Sequence, residues 1–260
     1  MLLFVFVVLA YSNVNFVAVG DNAGGPSIAY SVNGISWTSV TNTIFSVQGN
    51  DVAYSPTQDK WIAVGKGTNT MAYSFDGKNW IGMGTSTFVT EGRGIFYSVN
   101  QSLWIATGTT ANNMAKSIDG FTWTPITSPF DTICNDVVYA NTVGRWVAVG
   151  GNSHTIAVST DSVTWIGLGL TFFSLPGDKG TSIEFSPSLN QFVVTGTTSG
   201  NTQGYSSDGL TWTGTPALFS NSIAGVAFGQ DKWIVAGPAT PLPTPFANST
   251  NGTNWIIGPQ

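Results

Sequence analysis

Ser74-Phe75-Asp76-Gly77-Lys78-Asn79-Trp80 decides the fold, because it recurs. The pattern returns as SVNGISW from Ser31, SIDGFTW from Ser117, STDSVTW from Ser159, SSDGLTW from Ser206 and STNGTNW from Ser249, six copies in all. Their tryptophans, Trp37, Trp80, Trp123, Trp165, Trp212 and Trp255, stand 42 to 47 residues apart. Two further series keep step with them. NFVAVG, KWIAVG, LWIATG, RWVAVG, QFVVTG and KWIVAG end at Gly20, Gly65, Gly108, Gly150, Gly196 and Gly237. LAYS, VAYS, IFYS, VVYA, IEFS and VAFG end at Ser12, Ser55, Ser98, Ala140, Ser186 and Gly229. A period of about 40–50 residues with several short strands per unit marks a propeller blade.

Each unit reads as four strands. The VAYS series is strand A and the WIAVG series strand B; strand C runs into the motif serine and strand D starts at its tryptophan. β-branched and aromatic runs broken by Gly, Asn and Asp suit strands, and no segment sustains a helical period. The expectation is an all-β, six-bladed β-propeller of four-stranded antiparallel blades in one domain, with blades at about 1–43, 44–86, 87–128, 129–171, 172–217 and 218–260. Stacking blades radially buries both faces of each sheet. Asp-Gly between strands predicts a type I′ hairpin turn with φ > 0 at both central residues. Asp76, Asp119, Asp161 and Asp208 fill the acidic position, with Asn33 and Asn251 in the other copies and Ser162 in place of Gly in the fourth. Asn enters the left-handed region readily, so its use there is mild.

These six motifs resemble the Asp-box (BNR-like) β-propellers, a group that includes sialidases, sortilin-type receptors, xyloglucanases and photosystem II assembly factors. The resemblance covers the whole chain, although each copy here is one residue shorter than the usual Ser/Thr-x-Asp-x-Gly-x-x-Trp box. It implies that the box is a structural turn remote from the active face. It does not carry over a sialidase site: that site needs three arginines, and only Arg93 and Arg145 exist here. The assembly factors rely on an arginine patch, which two arginines cannot make.

Composition narrows the function further. Only 8% of the 260 residues are charged, against about 25% in an ordinary soluble domain. The net charge is −5 with no basic run, which argues against nucleic acid as a partner. One Cys and one His exclude a disulfide framework and a Cys/His zinc cluster. No metal or cofactor motif is present; KGTNT and GTTSGN lack the phosphate-loop spacing. The apolar run MLLFVFVVLA is too short for a transmembrane span, which needs about 20 residues. It fits a signal-peptide core with Val8 and Ala10 before a cut. It fits better as the start of strand A in the first blade, because Leu9–Ser12 aligns with the other units. That alignment leaves no strand shared between the termini, so closure rests on packing the first blade against the last, on a partner, or on a further blade.

Catalytic candidates are few. Asp51 and Asp136 share a repeat position at the start of strand A, and Glu184 stands among apolar neighbours in another strand A. Facing one channel, such carboxylates would suit glycoside hydrolysis. The plainer reading is that they bond to backbone at the strand start. Cys134 reads as a small buried residue and His154 as a solvated loop residue.

The B–C loops carry Asn22, Asn69, Asn112, Asn152 and Asn201, and the blade linkers carry Phe45, Phe88, Phe130, Phe172, Phe173 and Phe219. Amides beside aromatics suit neutral sugars, while the plainer reading is turns and gap-filling. The last B–C loop, GPATPLPTPF, reads as a rigid extended cover. Glycosylation sequons at Asn100, Asn248 and Asn251, read as lying in turns, favour an extracellular or secreted setting. The expected function is a non-enzymatic extracellular binding or structural propeller that recognises carbohydrate or assembles with itself into a layer or filament. Its expected partners are glycans, other extracellular proteins or its own copies, with a polysaccharide-cleaving glycoside hydrolase as the alternative.

Overall fold

The computed structural model describes residues 6–11, 16–21, 25–110, 112–170, 172–175, 177–197, 202–219, 223–237 and 246–258. The chain is a six-bladed β-propeller of four-stranded antiparallel blades, with no helix among the described residues. It divides into two compact units, one ending at Ile126 with blades 1–3 and one beginning at Thr127 with blades 4–6. In blade 2 the strands are A, Gln48–Ser55; B, Lys60–Lys66; C, Met71–Ser74; and D, Ile81–Gly82, hydrogen-bonded in that order. The other blades repeat this plan. Phe6–Tyr11 pairs with Phe16–Gly20, so the end of the apolar N-terminal run is strand A of blade 1.

The aromatic series of strands A and B are cross-strand partners. Tyr54 lies opposite Trp61, Tyr97 opposite Trp104 and Tyr139 opposite Trp146, with ring centroids 4.7 to 4.9 Å apart. Tilted contact at this distance adds attraction beyond burial. Trp61, Trp104, Trp146 and Trp233 are at most 1% exposed and anchor their blades. Strand D is only two residues long in every blade, which leaves little edge to recruit foreign strands.

The motif turn differs from the type I′ hairpin. Only its glycine is left-handed, as at Gly77 with φ 71° and Gly120 with φ 74°; no motif Asp or Asn has positive φ. The acidic residue acts instead as an acceptor. In copy two, Ser74 Oγ donates to Asp76 Oδ1 at 3.0 Å and accepts from Gly77 N at 2.9 Å. Asp76 Oδ1 then accepts from Lys78 N and Asn79 N, and Trp80 Nε1 donates to Gly77 O. Asn33 and Asn251 replace Asp because their Oδ1 accepts the same bonds, not because they enter the left-handed region.

The fourth copy is the weak one. Ser162 takes the glycine position at φ 62°, and Trp165 Nε1 is buried without an acceptor, whereas the other five motif indoles reach their turn carbonyl. Ser162→Gly is therefore expected to stabilise the protein by about 1 kcal/mol and raise Tm by about 2–4 °C in a thermal melt. An unchanged or lower Tm would contradict strain at this turn.

Candidate functional site

The candidate carboxylates sit where strand A bulges. The A–B register shifts between Gly49 and Asp51, between Cys134 and Asp136, and between Gly180 and Ser182. The extra residue at each shift, Asn50, Asn135 or Thr181, is re-aimed by the bulge. Each reaches a carbonyl of the following blade: Asn50 Nδ2 donates to Gly92 O at 2.7 Å, Asn135 Nδ2 to Gly180 O at 2.7 Å, and Thr181 Oγ1 to Ile223 O at 2.5 Å. The next residue accepts in return. Asp51 Oδ2 takes Ile95 N at 2.7 Å, and Asp136 Oδ2 takes Ile183 N and Ser182 Oγ, both at 2.9 Å. Their Oδ1 atoms take the N–H of Val52 and Val137. Ser182 Oγ occupies the same position one blade on and accepts from Val226 N at 3.5 Å. In blades 2, 4 and 5 two neighbouring side chains thus staple the blade to the next.

Electrostatics follow from this burial. Asp136 is pushed up to about 6 by burial, against the pull of its three donors. Glu184 is pushed up to about 7 by burial, helped by the negative charge of Asp136, while Phe185 N donates to Glu184 Oε1 at 2.9 Å. A raised folded-state pKa makes the protonated form the favoured one. The stability linked to Glu184 is fully present below about pH 4 and is lost as pH rises through about 7. The motif carboxylates have the opposite sign. Asp119 and Asp161 are held down near 2 chiefly by the backbone N–H groups of Thr122 and Val163, and their contribution is lost as pH falls toward that value. Glu184→Gln, which keeps the acceptor and removes the charge, is expected to stabilise the protein by about 1–3 kcal/mol at pH 8 and hardly at all at pH 4. Urea unfolding at the two pH values checks this; an equal effect at both would contradict it.

Elsewhere on the inner strands, Glu91 is 5% exposed, accepts from Asn50 Nδ2 at 2.9 Å and pairs with Arg93 at 3.2 Å. Cys134 lies within strand A of blade 4, fully buried as its residue type suggested, and burial pushes its thiol well up.

The loop residues divide by position. Asn69 Nδ2 donates to Ile44 O at 2.7 Å and its Oδ1 accepts from Gly84 N at 2.9 Å, so its amide ties linker to strand end. His154 occupies the matching place in blade 4, and its Nδ1 accepts from Gly169 N at 2.8 Å. It is half-buried over Gly167, as Asn69 is over Gly82, rather than solvated. Asn152 is exposed at φ 81°, a turn position its residue type tolerates, and bonds Thr132 Oγ1. Asn112 is exposed, and Asn22 and Asn201 lie outside the described residues, as does most of the Pro-rich loop.

The linker aromatics face inward. Phe45, Phe88, Phe130, Phe173 and Phe219 are at most 3% exposed. Each ring covers the glycine that ends the WIAVG series: a Cβ at Gly65, Gly108, Gly150, Gly196 or Gly237 would fall 2.5 to 2.8 Å from the ring. These phenylalanines therefore offer a sugar no platform. Asn100 is exposed in a turn, but Asn248 lies in strand C of blade 6 rather than in a turn, and Asn251 is a motif acceptor.

Among the described residues no cluster of His, Cys, Asp and Glu is placed to hold a metal. A hollow lined by Gln191, Tyr205, Asp208 and Thr213 has about 250 Å³, below the usual range for ligand pockets of about 300–1,000 Å³. Sequence reasoning missed the stapling residues Asn50, Asn135, Thr181 and Ser182, whose signal was their shared place next to the strand A carboxylates.

No family model matches the chain, and no curated protein matches it. Solved structures do. It superposes on streptogramin B lyase with a TM-score of 0.77 at 10% identity, covering 96% of this chain and 81% of that one. A GH74 enzyme from Niastella koreensis gives 0.71 at 16% identity over 96% of this chain, which spans only 46% of that enzyme. YCF48 from Cyanidioschyzon merolae gives 0.59 at 14% identity, covering 89% and 79%. At these identities the likeness is one of fold: all are β-propellers.

Proposed function

We propose that the chain is a non-enzymatic binding or structural propeller of the extracellular space that works through its surface. The observation that carries this reading is the engagement of Asp136: both carboxylate oxygens hold donors of its own and the following blade. A residue so placed is a staple. The surface supports the same reading. The motif turns expose large apolar side chains, Val32 at 65%, Ile35 at 84% and Ile118 at 75%, on a chain with 8% charged residues. Protein contact is favoured over sugar recognition because five of the six linker phenylalanines, Phe45, Phe88, Phe130, Phe173 and Phe219, are buried and Phe172 is half-buried. The hydrogen bonds shared by the six motif copies support kinship with the Asp-box group, and the sequons support the extracellular setting. No helix among the described residues is long and apolar enough to cross a membrane.

One observation favours a second reading. Asp136 near 6 and Glu184 near 7 lie in the range of general acids and bases, which suits a glycoside hydrolase. The two readings part in a reducing-end assay on soluble polysaccharides, β-glucans and xyloglucan among them, with wild type beside Glu184→Gln. The proposed function predicts no release by either protein. Release by the wild type that is lost in Glu184→Gln would overturn it.

A further inference from the structure

The hollow in blade 5 has a filled counterpart in blade 2. Its walls include Leu189, Gln191, Tyr205, Ser207, Asp208 and Thr213, all within the second unit. In blade 2 the ring at the place of Tyr205 is Tyr73, each standing just before the motif serine. Tyr73 meets Phe75 and Phe121 at ring centroids 5.8 and 4.9 Å away. The Lys60 ammonium lies over Phe121 at 3.6 Å and over Phe75 at 5.7 Å. Phe121 comes from the motif of the next blade, and one junction earlier the same motif position holds Lys78. Its ammonium lies 5.5 Å from the ring centre of Tyr30, the blade 1 member of the same tyrosine series.

Blade 5 keeps the ring and loses every filler. Gln191 stands at the position of Lys60, Ser207 at that of Phe75, and Thr253 of the next blade at that of Lys78 and Phe121. Tyr205 is half-buried, and no ring or cation contacts it among the described residues. The carboxylate beside it is engaged on one side only. Asp208 Oδ1 accepts from Ser206 Oγ at 2.9 Å and from the N–H groups of Leu210 and Thr211 at 2.8 Å. Oδ2 has no donor among the described residues. In blade 2 Asp76 Oδ2 accepts from Asn79 Nδ2 at 2.7 Å, and Thr211 replaces that asparagine. Arg145 bonds the backbone carbonyl of Asp208 and, among the described residues, no ion pair reaches its carboxylate. The N–H of Thr211 chiefly holds Asp208 below the usual carboxylate range, so it is charged at neutral pH.

We propose that this hollow is a socket for a lysine or arginine side chain of a partner protein. The cation lies over Tyr205 and against Asp208 Oδ2, and its alkyl stem runs along Leu189, which is 41% exposed. The occupant follows from the chain's own repeats, which place a lysine ammonium on the aromatic rings of this spot at two other junctions. A net charge of −5 favours a basic partner. The volume of about 250 Å³ exceeds the roughly 150 Å³ that admits a benzene-sized molecule, so it takes the end of one side chain. This inference rests on the reading of the chain as a surface-contact module and names the group it takes from its partner.

The test titrates isotope-labelled protein, followed by NMR, with an end-blocked alanine peptide carrying one lysine. Its arginine form and its norleucine form, uncharged and of nearly the same length, are titrated beside it. The lysine and arginine forms are expected to shift the amide signals of Tyr205, Asp208 and Thr211 saturably, with Kd on the order of 10 mM, and the norleucine form to shift none. Asp208→Asn should weaken binding by about 10-fold. Asn33 and Asn251 accept the same turn bonds, so that variant keeps its turn. Thr253→Lys should close the socket from within, as Lys78 covers Tyr30, and weaken binding by about 10-fold or more. Unchanged circular dichroism and melting certify the fold of both variants. A lysine peptide that shifts no signal of the hollow, equal binding of the norleucine form, or binding indifferent to Thr253→Lys would overturn the proposal. The reducing-end assay on the same samples separates the failures: no peptide binding and no hydrolysis removes the socket only, whereas hydrolysis removes the surface-contact reading and the socket with it.

Discussion

Trp104→Ala is expected to cost about 3–5 kcal/mol. Trp104 is fully buried in strand B of blade 3. It stacks at 4.7 Å on Tyr97, and its Nε1 donates to Gln58 Oε1 of the preceding blade at 3.0 Å. Truncation empties a volume that strand B cannot close, because Ile105 and Ala106 beside it are themselves fully buried. It also leaves Gln58 Oε1 without its indole donor. The comparison is Trp37→Ala in the motif of blade 1, whose ring is half-exposed; about 1 kcal/mol is expected there. Urea denaturation of both variants checks the ranking, and equal losses would contradict the division into strand B anchors and motif covers.

Asp136→Ala is expected to cost about 3 kcal/mol or more. It removes one acceptor group and leaves Val137 N, Ile183 N and Ser182 Oγ without it, and each buried orphan costs about 1–3 kcal/mol. Asp136→Asn keeps one oxygen and should cost less at neutral pH, partly because it removes a charge that burial opposes. The ordering distinguishes a staple from a catalyst: a residue held for chemistry alone is often replaced without loss of stability, and a staple is not. Unfolding midpoints for the two variants at pH 7 report it directly. Alanine no worse than asparagine would contradict the assignment.

The blade plan was legible because three series of residues repeat in step, and each has a local cause. The glycine at the motif turn needs positive φ, strand B needs its aromatic to meet the aromatic of strand A, and strand D is short. The site was less legible, for reasons that lie in contacts between distant repeats. Asp-Gly reads as a hairpin turn, yet the side chain of Asp76 takes two backbone N–H groups and sets a different geometry. Phe45 reads as a loop aromatic free to meet a ligand. Its burial depends on Gly65, twenty positions away, having no side chain to exclude the ring. His154 reads as solvated until its position is matched with Asn69, whose acceptor role it takes over through Nδ1. The bulge that re-aims Asn50 and Asn135 leaves no mark in composition or period.

A double-mutant cycle between Asp136 and Ser182 tests the central claim, that the inner-strand side chains exist to hold blade to blade. Asp136→Ala, Ser182→Ala and the pair are unfolded in urea beside the wild type. The bond of 2.9 Å between Ser182 Oγ and Asp136 Oδ2 predicts a coupling of about 1 kcal/mol or more. Strictly additive losses would contradict it.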